Sequence, residues 1–169
     1  MADVAQYLID EHKELLPHIE ELRIVADSIG DFAPQLLLRS IDKLYDFLIN
    51  QLIPHAQAEE ETLYPAVAKI LGTPQGTATM SRDHAEVSHL TGRLRALRWQ
   101  IGASGFDPDQ AKELRQLLYG LYTLLQLHLA KEEELYLPML DARLGEIEAH
   151  QLFHKLAAIS HGETSHLHH

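Results

Sequence analysis

The chain has no cysteine, so disulfides, thiolate metal ligands and thiol nucleophiles are all excluded, and only nitrogen and oxygen donors remain for demanding chemistry. It is also short of positive charge: 14 Lys and Arg stand against 25 Asp and Glu, a formal net charge of −11. That balance argues against nucleic acid or an anionic membrane surface as a partner held by charge. Arg93, Arg95 and Arg98 are too few and too scattered to reverse it. Long apolar runs are missing as well. The most apolar stretch, Leu117 to Ala130, is interrupted by Thr123, Gln126 and His128 and falls short of the roughly 20 residues a membrane span needs. The sequence opens with acidic Asp3 and Asp10 rather than a cationic segment and an apolar run, so no secretory signal and a cytoplasmic location are expected. Two-residue alternation is almost absent, which leaves little room for strands.

What is there reads as helix. Apolar residues recur at three- and four-residue steps along nearly the whole chain, and a hydrophobic fraction of 46% over 169 residues is enough for one core. A first helix is expected from about Val4 to Ile29, bent at Pro17 and ended near Gly30. A second opens at Pro34 and runs toward Ile70, with kinks at Pro54 and Pro65. After the turn-rich GTPQGT from Gly72, a third reaches about Ile101, and Gly92 within it is expected to permit close helix contact. Asp107 as N-cap and Pro108 at the first helical position start a fourth helix that ends near Arg143. A short helix, Glu146 to Ser160, follows Gly145. The expected fold is all-α: an up-down-up-down four-helix bundle over residues 1–145, then the short helix and a His-rich tail over 146–169.

Twelve histidines are more than packing requires. His161, His166, His168 and His169 fall in the polar tail, and the rest lie in helical segments. A repeat orders them. EHKELLPHIEELR from Glu11 matches DHAEVSHLTGRLR from Asp83, both beginning acid-His-x-Glu, and HAQAEEETLYP from His55 matches HLAKEEELYLP from His128. Each copy is a helical hairpin. The repeat sets His12 and His84 at equivalent depths on the first and third helices, and His55 and His128 on the second and fourth.

At 100° per residue, Glu59 lies about 40° from His55 and one turn along, and Glu132 stands in the same relation to His128. Each shares a face with apolar residues such as Leu48 and Leu121, where a carboxylate without a partner meets a large desolvation cost. A cation removes that cost. By the same reckoning Glu60, Glu61, Glu133 and Glu134 turn toward solvent. Four imidazoles and two carboxylates exceed one tetrahedral zinc and suit two ions bridged by the carboxylates, a ligand set that suggests iron. Two ferric ions with an oxo bridge would keep a net positive charge and favour peroxide or another small anion.

On EHKEL, HAQAEEETLYP, DHAEV and HLAKEEELYLP, the stretch from about Val4 to Leu144 resembles the hemerythrin-like, HHE cation-binding proteins. The resemblance implies a four-helix bundle with two non-haem iron ions and an oxo or hydroxo bridge. It implies His12, His55, His84 and His128 as terminal ligands and Glu59 and Glu132 as bridges. It further implies binding or sensing of a small molecule such as O2, NO or peroxide. The sequence departs from the oxygen-carrying members at two points. Ser88 stands where their third helix has a second histidine, and the last carboxylate is Glu132, four residues after His128, rather than an aspartate at five. A missing fifth histidine favours the alternative of a di-iron enzyme decomposing hydrogen peroxide, and a further alternative is a bundle whose clustered histidines and glutamates hold a structural divalent ion such as zinc.

His18 and His89 point away from the candidate ligands by helical spacing and are expected to be exposed. Tyr64 and Tyr136 are expected to be packing residues, with a hydrogen bond to a bound ligand or a phenolate ligand as the alternative for either. Thr91 is placed facing the cavity. Leu8, Leu15, Ile19, Leu48, Leu121 and Leu135 are expected to form its dry walls. His150 and His154 read as a surface pair, and Trp99 as packing at the bundle end. No protein partner is identifiable.

Overall fold

The computed structural model describes residues 2–102 and 104–160, which fold as a helical bundle without a strand among them; the tail histidines His161, His166, His168 and His169 lie outside the described residues. α1 spans Ala2–Ser28 and continues through Pro17. α2 covers residues 34–71, α3 is Ala78–Gln100, α4 covers residues 108–143, and α5 is Glu146–Ser160. Gly72, at φ +75°, ends α2 in a left-handed conformation that a side chain would disfavour. Asp107 caps α4 in a reciprocal box: its carboxylate accepts from the Gln110 backbone at 2.8 Å while the Gln110 side chain accepts from the Asp107 backbone at 3.0 Å.

The prolines inside α2 and α4 act in an unexpected way. Instead of a bare kink, each is preceded by a widened π turn: Leu48–Leu52 before Pro54, Glu59–Leu63 before Pro65, and Glu132–Tyr136 before Pro138. The residue just ahead of the proline donates five positions back in each case, Ile53 to Leu48, Tyr64 to Glu59 and Leu137 to Glu132. Proline has no N–H, and its ring crowds the carbonyl four residues before it, so the helix opens by one residue and stays helical. Two of the three π turns begin on the repeated glutamates Glu59 and Glu132.

The core has two apolar clusters. One gathers Leu15, Ile19, Leu22, Ile41, Leu48, Leu52, Leu94, Leu121 and Leu125, among others, and the second gathers Val4, Leu8, Leu63, Tyr64, Val67, Met80, Leu140, Leu152 and Leu156. The chain crosses from one to the other four times, between Leu8 and Leu15, Leu52 and Ala58, Met80 and Val87, and Leu129 and Tyr136. His12, His55, His84 and Glu132 fall in those gaps, His128 directly precedes the last one, and Glu59 follows Ala58 directly. A polar layer is thus enclosed between two apolar ones, and α5 contributes Ala149, Leu152 and Leu156 to the far cluster.

Three expectations fail here. Trp99 is 91% exposed and packs no bundle end, because it falls on the outer face of the last turns of α3. Gly92 is exposed, and a Cβ there would meet nothing within 4 Å, so it mediates no close approach. Leu135 is 59% exposed and forms no wall, since the π turn faces it outward; Leu8, Leu15, Ile19, Leu48 and Leu121 are buried as expected. No helix among the described residues is long and apolar enough to cross a membrane.

Candidate metal centre

The six singled-out residues come together in the polar layer. His12, His55, Glu59, His128 and Glu132 are buried, and His84 is 11% exposed at its edge. The imidazoles are paired: ring centroids lie 5.5 Å apart for His12 and His55 and 4.6 Å apart for His84 and His128. Glu59 lies between the pairs. One of its oxygens is 2.6 Å from His55 Nε2 and 3.9 Å from His12 Nε2, and the other is 3.2 Å from His84 Nε2 and 4.0 Å from His128 Nε2. His12, His55 and Glu59 can hold one ion, and Glu59, His84 and His128 another. Glu132 also spans the pairs, at 3.8 Å from His12 Nε2 and 3.2 Å from His128 Nε2.

Every Nε2 faces inward because every Nδ1 is held from behind by a carboxylate. His12 Nδ1 donates to Glu133 at 2.9 Å, His55 Nδ1 to Glu11 at 2.8 Å, His84 Nδ1 to Glu60 at 2.8 Å and His128 Nδ1 to Asp83 at 2.9 Å. An ionised carboxylate only accepts, so Nδ1 carries a proton, and Nε2 is the nitrogen that offers a lone pair to the interior once the ring is neutral. The pattern follows the repeat. Glu11 and Asp83, each just before the first histidine of its copy, hold the second histidine of the same copy, whereas Glu60 and Glu133 hold the first histidine of the other. The supports are themselves braced: Tyr7 donates to Glu11 at 2.9 Å, Ser81 to Glu60 at 2.8 Å, and Lys131 to Asp83.

Glu60 and Glu133 correct the helical reckoning. They are partly exposed, at 37% and 41%, yet their carboxylates reach back to the rims of His84 and His12. A π turn advances less per residue than the α-helical 100°, so counting from the histidine over-rotates them. Glu61 and Glu134 are exposed as expected. The four supporting carboxylates escaped the sequence reading although a signal existed, since Glu11 pairs with Asp83, and Glu60 with Glu133, in register across the copies.

Tyr64 is buried, but its hydroxyl lies 3.0 Å from His128 Nε2, 3.2 Å from His84 Nε2 and 3.5 Å from Glu59, so it belongs to the centre. Tyr136 packs edge-on against Tyr64 and points its hydroxyl at the Gly76 carbonyl at 3.4 Å. Thr91 is buried, and its hydroxyl donates to the Val87 carbonyl four residues back at 2.8 Å. His89 and His18 are exposed, the latter stacked on Phe47. Ser88 lines an open cavity of about 300 Å³ that reaches His84 beside Ala56, Glu60 and Ala85.

The electrostatics are those of a site built for positive charge. Burial opposes protonation of His55 and His12, but Glu59, with Glu11 beside the first and Glu132 beside the second, outweighs it and raises both above the ordinary imidazole value. His128 is likewise raised against burial, to about 10, by Glu132, Glu59 and Asp83. Burial works against ionisation of Glu59, yet the charge of His55, with His12 and His128 close by, holds its carboxyl well below the usual range. Glu132 goes the other way, raised by burial and by the charge of Glu59. Burial, then the charges of Glu59 and Glu132, keeps Tyr64 a neutral phenol.

Even so, His12 Nε2, His55 Nε2, one oxygen of Glu59 and both oxygens of Glu132 are buried and none makes a hydrogen bond of good geometry, the 2.6 Å approach of His55 Nε2 to Glu59 included. Unsatisfied buried polar atoms cost about 1–3 kcal/mol each, and five converging ones are not left so by chance packing. Imidazole nitrogens and carboxylate oxygens aimed into one enclosed space are a metal donor set once the rings give up their protons to the incoming cation.

Comparison with known families agrees. The hemerythrin HHE cation-binding domain matches residues 3–140, and the chain belongs to that family. No curated protein and no solved structure matches it.

Proposed function

We propose that this chain binds two iron ions, with an oxo or hydroxo bridge, and through them binds or senses a small molecule such as O2, NO or peroxide. His12 and His55 serve one ion, His84 and His128 the other, and Glu59 and Glu132 bridge them. The observation that carries the reading is the set of five buried, unpartnered donor atoms backed by four imidazoles, each held at Nδ1 by a carboxylate. Within this reading the four long helices of residues 1–145 run up-down-up-down as the binding domain, residues 146–169 are an appendage, and the protein works in the cytoplasm.

Bound iron supplies reversible electron transfer and an electrophilic position for a small oxygen or nitrogen species. The protein's own groups do the rest. The supporting carboxylates fix the tautomer and the aim of each imidazole. Leu8, Leu15, Ile19, Leu48 and Leu121 keep the layer dry, which strengthens every electrostatic contact within it. The Tyr64 hydroxyl, held neutral, is placed to donate a hydrogen bond to an anion lodged beside His84 and His128. The open cavity at Ser88 gives such a molecule a way in.

The test is anaerobic loading with Fe(II), followed by metal analysis and optical spectra in air. Two irons per chain with ferric-oxo bands are expected. Zinc in place of iron from iron-rich growth would support the structural alternative, and steady oxygen evolution on adding peroxide, lost in His128→Ala, would support the enzymatic one.

A further inference from the structure

Metal-ligand chemistry occurs a second time, on α5, beyond residue 140 where the family match ends. His150 and His154 are exposed and one turn apart on one face, and their Nε2 atoms stand 2.9 Å from each other. The rings meet at 84° with centroids 4.3 Å apart. Exposed imidazoles have many rotamers that keep them separate, but here one Nε2–H donates to the other Nε2, so the outer edges of both rings already stand together, and a cation that displaces that shared proton finds two nitrogens within its reach. The His154 ring also rests against Phe153, centroids 5.6 Å apart, which lowers the entropy lost on ordering it. Glu146 lies one further turn toward the N-terminus of α5, in register with both histidines and likewise exposed.

We propose that His150 and His154 chelate one exchangeable divalent transition-metal cation of the copper(II) or nickel(II) kind, with Glu146 in register for a third position and water in the rest. The donors favour that class: two imidazoles one helical turn apart occupy adjacent positions around an ion that takes nitrogen ligands, and of the common divalent ions copper(II) binds such a set most tightly. The site is open and built from one helix, so it exchanges its ion freely, unlike the enclosed centre. The acidic chain, at −11, draws cations toward it at low ionic strength. Nothing in this assignment depends on which metal the buried centre holds.

The experiment uses the full chain with its buried centre already saturated with iron, titrated with Cu(II) and followed by electron paramagnetic resonance. One further copper per chain is expected, with hyperfine structure from two imidazole nitrogens. His150→Ala and His154→Ala should each weaken that copper by about tenfold or more, since a chelate loses its second, intramolecular bond. Iron content should not change in either variant, both substitutions being on the surface. Undiminished copper affinity in either variant, where the tail histidines are still present, would overturn the proposal, as would a wild-type chain that takes up no additional copper or binds zinc in preference to both copper and nickel.

Discussion

The two halves of the centre come from the same repeated hairpin, yet they are not equivalent. In register, Tyr64 of the first copy corresponds to Leu137 of the second, and Tyr136 to Leu63, because the order of tyrosine and leucine before the proline is exchanged. As a result a phenol hydroxyl stands against the His84 and His128 pair, whereas the corresponding buried side chain of the other copy is apolar. The two bridging candidates differ too. Glu59 lies within 4.0 Å of all four inward nitrogens, but Glu132 reaches only His12 and His128. The repeat gives matched imidazole pairs, and a two-residue exchange beside a proline sets a phenol donor against only one of them.

The largest effect should separate Glu59 from Glu132. Glu59→Ala removes the carboxylate that approaches all four inward nitrogens and should abolish metal binding, whereas Glu132→Ala, which takes away contacts to one histidine of each pair, should leave a weakly held residue of metal. Circular dichroism should show both variants still helical, because hydrophobic burial drives the bundle. Equal metal content in the two variants would show that the carboxylates share the work evenly.

Next come the supporting carboxylates. Glu60→Ala should loosen the ion at His84, and Glu133→Ala the ion at His12, each lowering affinity for its own half by about 10–100-fold. Competition with a chelator of known affinity reads this directly. If each variant weakened both ions alike, the halves would be coupled too tightly to be told apart.

A smaller effect tests the tyrosine exchange. Tyr64→Phe keeps the packing and removes the donor, so metal content should hold while affinity for azide falls roughly tenfold, the worth of one hydrogen bond to a charged group. The double exchange Tyr64→Leu with Leu137→Tyr should move the donor to the His12 and His55 side, and the azide charge-transfer band should shift if it does.

The most gradual effect is that of pH. His128 is raised from an ordinary 6.5 to about 10, so in the metal-free protein its contribution to stability is complete below 6.5 and disappears as pH rises through about 10. Glu59 has the opposite sign: its contribution is present above the ordinary carboxylate value and is lost only as pH falls through its depressed one. Denaturant melts of the metal-free protein should therefore weaken from neutral pH toward 10. Metal binding needs the same imidazoles neutral, so uptake at pH 7 should release protons and weaken on acidification. Calorimetry in two buffers of different ionisation enthalpy measures that release, and a value of zero would remove the histidines from the ligand set.

Much of the centre was legible because the repeat and the four-residue spacing are local. His55 with Glu59, and His128 with Glu132, need nothing beyond helical geometry to share a face, and the apolar steps around them fix which face is buried. The backing carboxylates were not legible in the same way. Glu60 and Glu133 act on histidines of the opposite copy, 24 and 121 residues away in sequence, and their reach depends on π turns that the α-helical angle does not describe. Trp99 and Leu135 misled for a simpler reason: being large and apolar, they were assigned to packing, but a bundle surface retains many apolar side chains.

Sequence by itself determined the helices, the duplicated hairpin and the identity of the inward donors, since all of these follow from periodicity along one chain. Only the tertiary structure decided which imidazoles pair, which carboxylate supports which ring, and that Tyr64 rather than Tyr136 reaches the centre. Those depend on how helices far apart in sequence face each other across the polar layer, and on the extra residue in the turn before each proline inside α2 and α4.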